Sequence, residues 1–385
     1  MPVIQLPSPS GMESYRLGLP AAYQAPDVSL NRIAFAAAHV VADPISAADP
    51  WTEVAIDWDA TLAYRRHLWS HGLAVAEAMD TAQRGMGLSW AQALELIQKS
   101  VSEASSVKGA VVFSGVGTDH LIPTQDFTLK EVESAYLEQL EVVQQAGSRV
   151  ILMASRALAM IANDPEDYAK VYESVLRQAE QPVILHWLGE MFDPALAGYW
   201  GSSETDIAMD ACLQIINANS EKIDGIKISL LSKEAEITMR RQLPERVRMY
   251  TGDDFNYAEL IAGDDQGYSD ALLGIFDAIA PAASAALAHL AVGNLDRFHE
   301  IFAPTVPLSQ HIFGAPTRFY KTGIVFLAWL NGHQTHFTMV GGQESARSTL
   351  HLVELFQLAD QAGLLIDPEM ACSRMKAWLV TRGVG

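Results

Sequence analysis

The chain has 385 residues, of which 49% are hydrophobic and 19% charged, and its formal net charge is −20 at pH 7. So acidic a surface repels nucleic acid and anionic membrane and argues against either as a partner. Its two cysteines, Cys212 and Cys372, lie far apart and give neither a disulfide framework nor a cysteine zinc site.

The first 30 residues carry Pro2, Pro7 and Pro9 and lack the apolar run of a signal peptide, so they read as an irregular arm. The apolar stretch at 275–292 is rich in alanine and broken by Asp277, Pro281 and His289, short of a membrane span. A cytoplasmic protein is expected.

Residues 32–42 read as a buried strand. A helix starts at Asp57, with Leu62, Leu68 and Trp69 at helical spacing, and stops at His71-Gly72. A short apolar run at 73–79, a loop at 80–87 and a helix capped by Ser89 follow. Further strands are predicted at 110–114, 149–154, 182–187, 224–229 and around Val247. One at 268–276 rests on position more than on propensity. Helices are predicted between them at 128–145, 165–178, 205–219, 234–242 and 255–262. Strands alternating with helices imply parallel pairing through right-handed crossovers. Roughly 250 residues of this pattern is the size of a closed (β/α)8 TIM barrel. No G-x-G-x-x-G follows the first strand to favour an open doubly wound sheet. After Pro281 only helices are predicted, at 282–292, 295–313, 316–331, 344–363 and 367–381. The expected organisation is an arm at 1–30, an α/β barrel at 31–280 and a C-terminal helical extension at 281–385.

Chemistry in such a barrel sits at the C-terminal ends of the strands. Lys227, in Asp224-Gly225-Ile226-Lys227-Ile228-Ser229, is an ammonium inside a β-branched run. Burying it is costly unless it is paired or neutral, and a desolvated lysine amine forms imines with carbonyl compounds. The competing reading is a strand-end lysine that reaches solvent or a carboxylate. His186 ends the fifth strand and is a candidate proton shuttle. Ser114 follows the third strand, and Gly252-Asp253-Asp254 follows the seventh, where at least one aspartate is expected to cap the next helix. Asp80, Thr81, Gln83 and Arg84 in the loop after the second strand are candidate substrate contacts, as are Ser114, Gly252 and Asp253. His39, Glu77 and His186 form an alternative metal site at one barrel mouth.

In their order these features resemble the dihydrodipicolinate synthase and N-acetylneuraminate lyase superfamily, as a divergent branch. Gly225-Ile226-Lys227 matches its glycine-isoleucine-lysine at the Schiff-base lysine, and Gly252-Asp253-Asp254 its glycine-aspartate-aspartate loop downstream. Gln181-Pro182-Val183-Ile184-Leu185 resembles its fifth strand. The resemblance implies a (β/α)8 barrel with C-terminal helices, a dimer or tetramer, and a covalent imine on Lys227 with no cofactor. Two positions depart from the family. His186 stands where its proton-relaying tyrosine is usual. The loop Ala78-Met79-Asp80-Thr81-Ala82-Gln83-Arg84-Gly85 keeps little of the glycine-threonine-threonine-glycine-glutamate segment that binds a keto-acid carboxylate, and Asp80 would repel one. The expected function is a Schiff-base lyase, aldolase or dehydratase acting on a small carbonyl compound, a sugar or keto-acid derivative among them. The alternatives are a metal-dependent barrel isomerase or lyase and a non-catalytic metabolite-binding barrel. The apolar helices at 282–292 and 324–330 are expected to pack on the barrel or on a second subunit.

Overall fold

A computed structural model of the chain describes residues 1–79, 83–121 and 126–384. Two strands, β1 (Val3–Ser8) and β2 (Gly11–Arg16), form an antiparallel hairpin. The remaining strands are β3 (Ala34–Ala37), β4 (Ala74–Glu77), β5 (Val112–Val116), β6 (Arg149–Leu152), β7 (Val183–Leu188), β8 (Ile223–Ser229), β9 (Arg248–Thr251) and β10 (Asp270–Leu273). They close into a parallel barrel in chain order, with β10 pairing back onto β3. The predicted α/β barrel is therefore the fold found, including the weakly signalled strand β10.

The crossover helices start where the sequence supplies caps. Asp57 accepts from the backbone of Ala60, and Ser89 with Gln92 and Thr128 with Glu131 form capping boxes. Along each barrel strand alternate side chains face inward. Phe35, Phe113, Ile151, Ile184, Tyr250 and Leu272 fill the interior, with Phe35 edge-on to Phe113 at 4.9 Å between ring centroids. The intervening residues pack outward against the helices.

Residues 1–30, expected to be irregular, contain the hairpin. Ile4 and Leu6 are buried, Tyr15 donates to Asp360 at 2.8 Å, and the Gly18 amide donates to the same carboxylate. The period-two burial of Ile4 and Leu6 wins over the prolines, because Pro7 lies on an edge that needs no ladder donor.

The C-terminal layer comprises helices Ala280–Ala291, Leu295–Phe302, Thr305–Ile312, Tyr320–Leu330, Thr349–Gln361 and Pro368–Thr381. The predicted helix at 295–313 is two helices, since Pro304 has no N–H to continue the first. Every residue of Tyr320–Leu330 is buried. Its all-round apolarity is met inside one chain, as is most of Ala280–Ala291, so neither helix needs a second subunit to cover it. Among the described residues no helix is long and apolar enough to cross a membrane.

Candidate active site

Strand β8 carries Gly225, Lys227 and Ser229 on its inner face. Gly225 makes room for a neighbour: a Cβ there would meet the Tyr250 ring at 2.6 Å. Tyr250 leans over it and donates to Asp224 at 2.7 Å, toward the N-terminal end of the barrel. The level above is left to Lys227, which is 3% exposed and in direct register with His186 on β7.

His186 is buried, and its Nε2 lies 3.2 Å from the Ser229 hydroxyl. Burial, reinforced by the neighbouring Lys227 ammonium, holds its pKa well below the ordinary histidine value. The imidazole is therefore neutral across the physiological range, a correction to the near-neutral titration expected of an unperturbed histidine.

Asp254, the second aspartate of the loop after β9, is a buried titratable group beside the site rather than the helix cap. Its Oδ1 accepts from the Ile275 amide at 2.9 Å. Burial raises it to about 7, although that amide bond and the positive charges of Lys227 and Lys321 pull the other way. Asp253, by contrast, caps the turn beyond it. It accepts from the Phe255 and Asn256 amides at 2.9 and 3.0 Å and from the Asn256 side chain at 2.8 Å. Gly252 lies at the end of β9 beside Lys227.

A cavity of about 200 Å³ opens at the C-terminal mouth. His186 forms part of its wall, with Thr118 and Asp119 after β5, Met153 and Arg156 after β6, Phe192 after β7, and Arg318 and Tyr320 from the C-terminal layer. Lys227 stands at the level of His186 one strand away and is not itself part of that wall. Tyr320 reaches the mouth because Gly274 leaves it space: a Cβ there would meet the rings of Phe313 and Tyr320 at 2.7 and 2.9 Å. The two rings stack at 4.3 Å. No sequence motif pointed to Arg318 or Tyr320. The one local signal was an arginine and aromatic residues in the turn at 314–320.

Other candidates are engaged elsewhere. Arg84 lines the cavity, but its guanidinium donates to Asp119, to Gln139 and to the carbonyls of Ala78 and Gly115. Burial would raise Asp119; Arg84 outweighs it and holds the carboxyl at about 2. Gln83 is buried and donates to the Val340 carbonyl at 3.0 Å. Ser114 faces the helical layer, where Ser148 donates to it at 2.8 Å, because Phe113 and Gly115 take the inward positions of β5. Asp80 and Thr81 lie outside the described residues.

The alternative metal trio does not converge. Glu77 occupies an outward position on β4, between Ala76 inside and the helices, and holds Arg65 in a two-pronged ion pair at 2.8 and 2.9 Å. Ser100 adds a hydrogen bond at 2.6 Å. His39 Nδ1 lies 3.0 Å from Asp277, whose other oxygen takes Lys321 at 2.6 Å. His186 faces the barrel interior. Among the described residues no group of three histidine, cysteine, aspartate or glutamate side chains is arranged to hold a metal ion.

The profile of a family described as "Protein of unknown function (DUF993)" matches residues 4–384. No curated protein matches at a significant level. Among solved structures, a dihydrodipicolinate synthase from Bacillus anthracis is similar at 16% identity and a TM-score of 0.62, covering 86% of this chain and 99% of its own. The enzyme from Aquifex aeolicus is similar at 13% identity and a TM-score of 0.64, covering 87% of this chain and 99% of its own. YagE, an Escherichia coli prophage protein of the dihydrodipicolinic acid synthase family solved with pyruvate, is similar at 13% identity and a TM-score of 0.64, covering 93% of this chain and 100% of its own. At these identities the likeness is one of fold, and it is the fold that the resemblance implied.

Proposed function

The chain belongs to the DUF993 family, and from that premise and the barrel mouth we propose that it is a Schiff-base lyase, aldolase or dehydratase acting on a small carbonyl compound. The observation that carries this reading is a lysine 3% exposed, inside a parallel barrel, in register with a buried histidine. The barrel type shared with dihydrodipicolinate synthases, and the pyruvate held by YagE, support it.

In the cleavage direction the Lys227 nitrogen attacks the carbonyl carbon. The Lys227 ammonium gives up one proton to become the nucleophile, the carbinolamine hydroxyl takes a proton back as it leaves as water, and a protonated imine remains. Neutral His186 takes the proton of a substrate hydroxyl as the C–C bond breaks. The bonding pair moves to the imine nitrogen and leaves a neutral enamine. One positive charge thus passes from Lys227 to His186. The repulsion that depresses His186 falls away in the step in which it must accept a proton. Return of that proton to the enamine carbon and addition of water release the second product and restore the amine.

The test is sodium borohydride added with pyruvate and other carbonyl compounds, followed by mass analysis of the Lys227 peptide. A mass increase confined to that peptide, absent in Lys227→Arg, is the expected result. A second reading, a barrel that binds a metabolite without turnover, is favoured by the absence of Lys227 from the cavity wall. Ligand binding measured by calorimetry with no trapped adduct would select it.

A further inference from the structure

The wall of the cavity separates into two kinds of surface. Leu121, Phe127, Leu188, Phe192, Leu196 and Tyr320 give it an apolar body. Its charged groups are mostly spent: Arg84 is paired with Asp119, and Arg156 with Asp193. Arg318 differs. It is exposed, it rests over the Phe319 ring at 4.6 Å, and among the described residues no carboxylate pairs with it. His186, only 1% exposed, marks the inner end, and Arg318 marks the rim.

Size decides what fits between them. An apolar cavity of roughly 150 Å³ accepts benzene. At about 200 Å³ this one takes a benzene-sized group and a few atoms more. A three-carbon keto acid would leave much of that apolar wall without contacts. An anion drawn to Arg318 would also lie at the end away from His186.

Resting on the imine reading above, we propose that the substrate is a carbonyl compound with a ring-sized apolar body and an anionic group at its far end. The carbonyl lies toward His186 and Lys227, the body against Phe192 and Tyr320, and the anion on Arg318. This order differs from a 2-oxo acid, whose carboxylate adjoins the carbonyl.

The probes are 4-carboxybenzaldehyde, benzaldehyde and pyruvate, each offered to the full-length chain. Binding is measured by calorimetry, and adducts are trapped with sodium cyanoborohydride and located by peptide mass. The amine nitrogen bonds to the aldehyde carbon with loss of water, and hydride from the reagent reduces the imine to a secondary amine. We expect 4-carboxybenzaldehyde to label Lys227 at about one-tenth the concentration of pyruvate or less. Arg318→Met should weaken its binding by about tenfold, the low end for a charge-assisted hydrogen bond at an exposed site, and leave benzaldehyde unchanged. Preferential labelling by pyruvate would overturn this inference and leave the imine reading standing. Arg318-dependent binding of 4-carboxybenzaldehyde without any adduct would uphold the cavity's selectivity and remove the imine. Equal weakening of both aldehydes in Arg318→Met would overturn the anion contact.

Discussion

A Cβ placed on Gly252 would stand 2.7 Å from the Cε of Lys227. The same carbon would meet the Ile228 carbonyl at 2.5 Å and press on the Ser229 hydroxyl. Nothing larger than glycine fits beside the lysine stem, so this glycine sets where the amine lies. Gly252→Ala should lower stability by about 1–3 kcal/mol, the range for an overfilled core. It should also reduce borohydride labelling of Lys227 by more than the loss of folded protein explains. A urea titration run beside the labelling assay separates the two effects.

His186→Phe should leave imine trapping on Lys227 largely intact and lower turnover by roughly 10²–10⁴, the usual contribution of a general acid–base group. Since burial and Lys227 hold the imidazole far below its ordinary pKa, the wild-type rate should show no inflection near pH 6.5 from this residue. A pH–rate profile of both proteins on any substrate that labels Lys227 checks this. Unchanged turnover would remove His186 from the mechanism.

Glu236 is buried outside the cavity wall and accepts from Thr251 at 2.9 Å and Ser269 at 2.7 Å. Burial raises its carboxyl from 4.5 to about 8 against the pull of those hydroxyls. A carboxyl raised by folding binds more protons in the folded state than in the unfolded one. Its contribution is therefore complete below pH 4.5 and is lost as pH climbs toward 8. Glu236→Gln should remove that loss. Relative to wild type the variant should gain up to roughly 1.4 kcal/mol per pH unit inside this window. Urea midpoints at pH 5 and pH 8 measure the difference.

Lys321 joins the C-terminal layer to the barrel by donating to Asp277 and to the Ala37 carbonyl of β3. Both charged groups are buried. Lys321→Met removes one partner and should cost about 3–5 kcal/mol, the range for breaking a buried ion pair from one side. Adding Asp277→Asn should recover part of it, because the carboxylate left behind causes much of the cost. Chemical denaturation of the single and double variants tests the coupling.

The barrel was legible because its strands and helices differ in period, and Lys227 because an ammonium among isoleucines contradicts its surroundings. The face of a short strand was harder to read. In Ala74-Val75-Ala76-Glu77 both faces carry small or apolar residues. Whether Glu77 points into the barrel or toward Arg65 is decided by closure of the sheet, which no local pattern encodes. Ser114 was misplaced for the same reason. Arg318 and Tyr320 reach the mouth from the far end of the chain, and only the packing of Phe313 against Gly274 carries them there. Asp253 and Asp254 are adjacent and alike in sequence. Their roles separate only because one meets the amides of its own turn and the other the amide after β10.

The hairpin β1–β2 is synthesised before the barrel, yet its anchor is Asp360, and the Tyr15–Asp360 contact spans 345 positions of chain. The hairpin's apolar residues therefore wait undocked while the barrel and nearly all of the helical layer are synthesised. Closing so long a loop costs little more entropy than closing a moderate one, since the cost grows only with the logarithm of length. What it costs is time. The seam between the hairpin and helix Thr349–Gln361 can close only once that helix has been synthesised.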